Sequence, residues 1–339
     1  MAPADLTALR PTTAVAREQL SDGPMMPTSS SAFVGVVGLG HMGAAFALNL
    51  IADGRRVLVY DRDPAHVEAL RAAGAEGARA LVDLAACDLV LTSLPDDEAL
   101  ISVALDPEGL VHVMRPGAVH ISMSTISPGL SRRLAGAHEA RRQGYVAAPV
   151  LGNPDLARDR HLFVLAAGKP ASLEQARPVL ESLGQRLFVV GEDAWAGNLM
   201  KLAGNVLTAA TLQSMGEVLA LLRKGGIDQQ VAFDILTNSL FDSKVHRTYG
   251  GKIVEQRYSP AGMAAPLALK DLRLALAEAE HEAVPMPVAS LVRDRLVALV
   301  AGGWADLDWS ALGGLAARDA GLAGSLDAAP AAARELGEG

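Results

Sequence analysis

Two groups of residues have the types and spacing that chemistry needs. The first is Gly38-Leu39-Gly40-His41-Met42-Gly43, a Gly-x-Gly-x-x-Gly run that follows the apolar segment Phe33-Val34-Gly35-Val36-Val37 and opens a helical pattern. In that setting the first glycine allows a tight turn, the second lets backbone approach a pyrophosphate, and the third lets helix and strand pack closely. The unpaired helix N–H groups and the helix dipole then hold the diphosphate. The run alone is a weak signal, and a second marker supports it. Asp61 ends the next apolar segment, Val57-Leu58-Val59-Tyr60, about 20 residues on, where a dinucleotide site places an acid. Asp61 suits a ribose 2′-hydroxyl and therefore NAD; its neighbour Arg62 suits a 2′-phosphate or adenine and therefore NADP. The expected cofactor is NAD(P).

The second group is Gly197-x-x-x-Lys201-x-x-x-Asn205, three residues four apart and hence on one helix face. Leu199, Met200, Leu202 and Ala203 around them are apolar. A lysine in such a helix either snorkels to solvent or is desolvated, with a lowered pKa suited to proton transfer. The single cysteine, Cys87, lies in the apolar stretch Leu84-Ala85-Ala86-Cys87-Asp88-Leu89-Val90 and reads as a buried, inert thiol. The histidines show no metal spacing such as His-x-x-x-His, so no metal is expected.

These groups need elements to position them. A chain of 339 residues suggests about two domains. Half of it is hydrophobic and 20% charged, which excludes wholesale disorder. Aromatics make up 4%, so the core must rest on Ala, Leu and Val. A net charge of -8 argues against a nucleic-acid partner. No run of about 20 consecutive apolar residues predicts a membrane span.

Residues 1–31, rich in Pro, Thr and Ser towards their end, are expected to be a flexible tail without a secretory signal, which makes the cytoplasm the default compartment. Strands are expected at 33–37, 57–61, 89–95, 118–122, 145–148, 161–166 and 186–190, alternating with helices at 44–52, after Asp63-Pro64, and from Ser127-Pro128 to about 143. That alternation predicts a parallel sheet over 32–193. From 194 to about 222 a proline-free stretch with an apolar helical face predicts one long helix, and the residues beyond it read as helical too. The expected fold is an α/β Rossmann-type dinucleotide-binding domain, then an all-α domain (194–326) built around the long helix, then a frayed end (327–339).

Several motifs fall in order and the chain resembles the β-hydroxyacid dehydrogenase family, which includes 3-hydroxyisobutyrate dehydrogenases and whose scaffold imine reductases share. They are the glycine loop, Ser93-Leu94-Pro95, Met123-Ser124-Thr125-Ile126-Ser127-Pro128, Ala148-Pro149-Val150, the Gly197–Lys201–Asn205 set, Leu269-Lys270-Asp271-Leu272, and Gly303-Trp304 through Asp308-Trp309-Ser310-Ala311-Leu312. The resemblance spans about residues 33–313. It implies a hydride transfer between nicotinamide and a carbonyl or hydroxy compound, with Lys201 as general acid/base and Asn205 beside it. Leu94 and Pro95 would line the nicotinamide ribose, and Thr125 would approach the nicotinamide. Ser124 would border the substrate, and Lys270 would help close the cleft. The resemblance also implies that the long helix packs against a second subunit, in a homodimer or homotetramer.

The substrate loop departs from the family pattern Asp-Ala-Pro-Val-Ser-Gly-Gly. It reads Ala147-Ala148-Pro149-Val150-Leu151-Gly152-Asn153, so Leu151 replaces a serine that helps bind a carboxylate. Leucine offers no hydrogen bond to a charged group, which points to a bulkier, less polar carbonyl substrate, with Gly152 and Asn153 left for polar contacts. Ser122 replaces a frequent aspartate. Arg158, Arg160, His246 and Arg247 are further candidates for substrate contact. An imine reductase and a non-catalytic nicotinamide-binding sensor are the alternatives. Lys201 argues against the first, since imine reductases usually carry another residue there. The intact Lys201 and Asn205 argue against the second.

Overall fold

A computed structural model describes residues 32–324 and 326; the expected tails at 1–31 and 327–339 lie outside the described residues. The described residues belong to one compact unit. The α/β part runs β1 (Val34–Val37), α1 (His41–Ala52), β2 (Val57–Tyr60), α2 (Pro64–Arg71), β3 (Glu76–Gly77), β4 (Leu89–Thr92), α3 (Asp97–Leu105), α4 (Leu110–Val113), β5 (Val119–Ser122), α5 (Pro128–Glu139), β6 (Gly144–Ala147), β7 (Val150–Leu151), α6 (Pro154–Arg158), β8 (Leu162–Gly168), α7 (Pro170–Ser182) and β9 (Gly184–Gly191). The helical part comes next as α8 (Trp195–Lys224), α9 (Gln229–Thr237), α10 (Lys244–Val254), α11 (Ala265–His281), α12 (Pro287–Ala301) and α13 (Ala311–Asp319).

The sheet order is β3-β2-β1-β4-β5-β6-β8-β7, with β9 on the other edge of β8. Strands β1 to β6 pair in parallel. Every residue of β1, β4 and β5 is buried, which is why these strands read as continuous apolar runs rather than alternating ones. The chain leaves β1 for β2 on one side and returns to β4 on the other. That reversal opens a crevice at the carboxyl ends of β1 and β4, where doubly wound folds bind ligands.

The sheet is not wholly parallel, as the alternation predicted. β8 runs antiparallel to β6 and β7, and β9 pairs in parallel with β8. A parallel return needs a crossover of a dozen or more residues. The link from Leu151 to Leu162 holds only the five-residue helix α6, so the chain turns straight back. The two-residue strands β3 and β7 and helix α6 are too short to carry a period and were not foreseen.

Helix ends carry the expected caps. Asp63 accepts from Ala65 N at 2.9 Å and Ser127 from Leu130 N at 3.0 Å, each with proline in the first turn. α1 begins at His41, three residues earlier than expected, because Gly40 serves as its N-cap. α8 is the axis of the helical layer, packed against α10, α11, α12 and α13. Its crossing with α13 is a glycine-on-glycine contact: a Cβ on Gly216 would lie 2.5 Å from Gly313 Cα. Although no span was expected from the sequence, α8 is long and apolar enough to cross a membrane by length and composition. Half of its most apolar window is buried in the protein, and it carries the buried polar residues Lys201, Asn205 and Gln213.

Candidate active site

The glycine loop lies in the crevice. Gly38 has φ +84, and a Cβ there would meet Ser93 O at 2.4 Å, so only glycine fits between β1 and the loop after β4. A Cβ on Gly43 would stand 1.8 Å from Gly38 O, so the start of α1 abuts the turn. Gly40 has no atom within 4 Å of its Cβ position. A side chain would fill that open space beside the first turn of α1, so the residues present fit a diphosphate there.

Asp61 locks this loop to β2. Its Oδ2 accepts from Leu39 N at 2.6 Å and its Oδ1 from Asp63 N at 2.9 Å. Burial pulls the Asp61 carboxyl upward, but the backbone donors at Asp63 and Leu39, with His66 nearby, outweigh it and leave its pKa below the usual value. Arg62 is exposed on the same turn.

Ser124 is buried and its Oγ accepts from Leu94 N at 2.8 Å, joining the loops after β4 and β5. Through that bond the hydroxyl braces the Leu94-Pro95 loop. The Leu94 side chain reaches Gly38, its Cδ2 lying 2.8 Å from the Cβ position there. Lys270, on α11, donates to Thr125 O at 2.5 Å. Asn198, on α8, donates to Ser124 O at 3.3 Å. The helical layer therefore grips the loop after β5 at two points.

Lys201 and Asn205 face this junction. Lys201 Nζ donates to Asn205 Oδ1 at 3.1 Å, and Asn205 Nδ2 donates to Asp271 Oδ2 at 2.6 Å. Asp271 also pairs with Lys270 at 3.1 Å. Lys201 is 8% exposed, which settles the choice left open by the sequence: it does not snorkel. Burial lowers its pKa, Asp271 raises it and Lys270 lowers it again, leaving it at about 8. Asp271 is the member that sequence reasoning missed. Its signal was an acid inside an apolar helix beside Lys270, which was noted as a motif without a role.

Gly197 serves packing. A Cβ there would meet Leu165 O at 2.9 Å and Ala147 O at 3.2 Å, so α8 lies directly on β6 and β8. Leu151 does reach α8, its Cδ2 lying 2.9 Å from the Cβ position of Gly204. Gly152 has φ +147 and turns the chain after β7. Asn153 Oδ1 caps α6 by accepting from Leu156 N at 3.0 Å.

Three candidate cations are committed elsewhere. Arg158 pairs with Asp155. Arg160 pairs with Asp53 at 2.7 Å and donates to the Asn49 and Ser182 carbonyls. Arg247 pairs with Asp242 at 2.6 Å and donates to Thr237 O. His246 Nδ1 shares a 2.8 Å bond with Ser243 Oγ on its own turn. Cys87 is buried, and burial pushes its thiol up to about 12, so it holds no ready thiolate. Ser122 is fully buried at the carboxyl end of β5. Among the described residues, no group of three or more His, Cys, Asp or Glu could hold a metal ion.

A glycine cradle at the switch point of a doubly wound sheet, facing a buried lysine of lowered pKa, defines a dinucleotide-dependent oxidoreductase. Comparison with known proteins gives the family. Residues 33–191 match the family model described as the NAD binding domain of 6-phosphogluconate dehydrogenase. Residues 196–315 match that described as the NAD-binding of NADP-dependent 3-hydroxyisobutyrate dehydrogenase. An uncharacterized oxidoreductase of Bacillus subtilis, YfjR, is 36% identical over 82% of this chain and 98% of its own. The solved structure of Mycobacterium tuberculosis 3-hydroxyisobutyrate dehydrogenase with L-serine is 27% identical, with a TM-score of 0.78 over 84% of this chain and 99% of that one. An imine reductase from Pseudomonas sp., 22% identical with a TM-score of 0.56 over 83% of this chain and 98% of its own, shares the fold. The chain belongs to the β-hydroxyacid dehydrogenase family and is an NAD(P)-dependent oxidoreductase.

Proposed function

We propose that Lys201 is the general acid/base of a reversible carbonyl reduction, with Asn205 and Asp271 holding its ammonium in place. The observation that carries this reading is the chain Lys201–Asn205–Asp271, in which burial brings the lysine to about 8. A group with that pKa exchanges protons readily near neutral pH. When bound, nicotinamide supplies or accepts the hydride. The Lys201 ammonium donates its proton to the oxygen of the carbonyl as that carbon takes up hydride, and it stabilises the developing oxyanion. In the reverse direction neutral Lys201 removes the hydroxyl proton. The Gly38–Gly43 loop, with Leu39, His41 and Met42, holds the diphosphate. Leu94, Pro95 and Thr125 border the nicotinamide, and Lys270 fixes the helical layer over it through Thr125 O.

Asp61, ionised and fixed at the end of β2, supports NAD(H) over the 2′-phosphorylated cofactor. Leu151, set against α8 at Gly204 one turn beyond Lys201, supports a carbonyl compound whose reacting end is apolar. The test is NADH and NADPH oxidation with glyoxylate, succinic semialdehyde, longer aldehydes, ketones and cyclic imines. Aldehyde or ketone turnover in the wild type, its loss in Lys201→Ala, and near-normal cofactor binding in that variant are expected. Activity surviving within a few-fold in Lys201→Ala would overturn the assignment. Turnover of cyclic imines alone would select the imine reductase reading.

The same reading makes the protein a homodimer or homotetramer. Met200, Ala203, Leu207, Val218 and Leu221 lie on one exposed stripe of α8, with Leu207 70% and Leu221 71% exposed. A monomer by light scattering at micromolar concentration would refute it. The cytoplasm is the proposed compartment, supported by a single cysteine that is buried and free; cell fractionation tests it.

A further inference from the structure

The chemistry at Lys201 leaves unused a patch on the neighbouring face of the sheet. Leu151 lies against α8 at Gly204, one turn beyond Lys201. Leu151 pairs with Phe163 across β7 and β8, and Phe163 pairs with Arg186 across β8 and β9. Directly paired residues share a face, so these three point the same way, and so does Phe188, two residues past Arg186. The rings of Phe163 and Phe188 are 6.2 Å apart. Arg186 Cζ stands 4.6 Å over the Phe188 ring. Lys244 Nζ, from the first turn of α10, stands 5.4 Å over the Phe163 ring.

Both cations are exposed, and neither has a carboxylate partner among the described residues. Arg158, Arg160, Arg247, Lys252 and Lys270, by contrast, each meet an acid. An aromatic face attracts a cation but leaves its charge uncompensated. Two such cations over two rings make a surface that favours an anion carried on an apolar body. Closer to Lys201 the wall is Leu151, which offers an anion nothing. The helical rise from Lys201 to Gly204, the strand pair and the height of Lys244 place the cations on the order of 10 Å or more from the reacting carbon.

We propose that Arg186 and Lys244, standing over Phe188 and Phe163, hold the remote anionic end of an elongated carbonyl substrate whose apolar middle lies along Leu151. This rests on the assignment of Lys201 above. The substrate class is then a carbonyl compound with a carboxylate or phosphate several methylenes away, rather than a short hydroxy acid.

The test compares aldehydes of four, six, eight and ten carbons with the ω-oxo acids of the same length. In the wild type, the oxo acid is expected to gain over its plain aldehyde only at the longer lengths, through KM and not kcat. In Arg186→Ala/Lys244→Ala that gain, about tenfold for two exposed ion pairs, should vanish while activity on plain aldehydes stays unchanged. A gain that is largest at four carbons, or that survives in the double variant, overturns the proposal. If no carbonyl compound is turned over, the Lys201 assignment fails separately. Calorimetric binding of suberate to the enzyme with oxidised cofactor then decides this one: weakening in the double variant supports it, and equal binding or none in the wild type overturns it.

Discussion

Asp271→Asn tests how Lys201 is tuned. The variant keeps the shape of the side chain and can still accept from Asn205 Nδ2 through its amide oxygen, but it removes the charge. Lys201 Nζ is 3.1 Å from Asn205 Oδ1, and Asn205 Nδ2 is 2.6 Å from Asp271 Oδ2. With the amide between them, the ammonium and carboxylate are about 7 Å apart, which at an effective dielectric near 20 is worth about 2 kcal/mol. That corresponds to a downward shift of roughly 1 to 2 pH units for Lys201. Lys270, freed of its own acid, pushes the same way. Carbonyl reduction needs protonated Lys201, so in the wild type kcat/KM at saturating reduced cofactor should fall as pH rises through about 8. In Asp271→Asn the same limb should appear at lower pH, and the rising limb of alcohol oxidation should move down with it. The assay is the pH profile in both directions. A limb that stays in place while the rate drops would show that Asp271 only scaffolds Asn205. A limb that moves up would refute the electrostatic argument.

Gly43→Ala should raise the cofactor dissociation constant at least tenfold in a fluorescence titration, since its Cβ would overlap Gly38 O; unchanged binding would remove the loop from the cofactor site. Asp61→Asn should lower the NADH-to-NADPH ratio of kcat/KM, and an unaltered ratio would show that Asp61 serves the loop alone. The core of the α/β part should be acid-sensitive. His120 and His138 are fully buried and share a 2.8 Å bond, and burial pushes His120 well below its usual value and His138 to about 4. A histidine depressed in the folded state stabilises the fold above its unfolded pKa of about 6.5 and loses that contribution as pH falls towards the folded value. For His138 alone the loss is about 2 kcal/mol by pH 5, above the range where most carboxylates titrate. Urea midpoints at pH 7 and pH 5 would measure it, and equal midpoints would contradict it.

The parts of the fold that were legible in the sequence are those where local rules and burial agree. β1, β4 and β5 are buried on both faces, so their apolar runs could be read directly. Asp63 and Ser127 marked helix starts because each cap was followed by proline. The glycine loop was legible because its backbone demands are local. The antiparallel turn into β8 was not, because it depends on the length of a link whose helix has five residues. Nor were the fates of Arg160 and Ser124, since hydrogen bonds to carbonyls and amides distant in sequence leave no spacing signal; Asn153 caps α6 locally and carried the same cap-before-proline signal as Asp63 and Ser127. Asp271 was hidden for the same reason: its partner Asn205 lies 66 residues away.

The acidity of Lys201 and the closure of the cleft depend on one helix. α11 carries Asp271, which raises the lysine, and Lys270, which lowers it. The same α11 is tied to the α/β layer by Lys270 on Thr125 O and, two turns on, by Glu278. Glu278 accepts from Arg132 of α5 at 2.7 Å, and that guanidinium also lies 4.6 Å over Trp195 at the start of α8. The groups that set the proton affinity are therefore held by the contacts that hold the layers together. A displacement of α11 away from α5 would separate Asp271 from Asn205 and leave Lys201 buried without its counter-charge, and a buried lysine in that state gives up its proton. Carbonyl reduction, which needs the proton, would then proceed only with the layers docked, so the docking contacts and the acid form one unit.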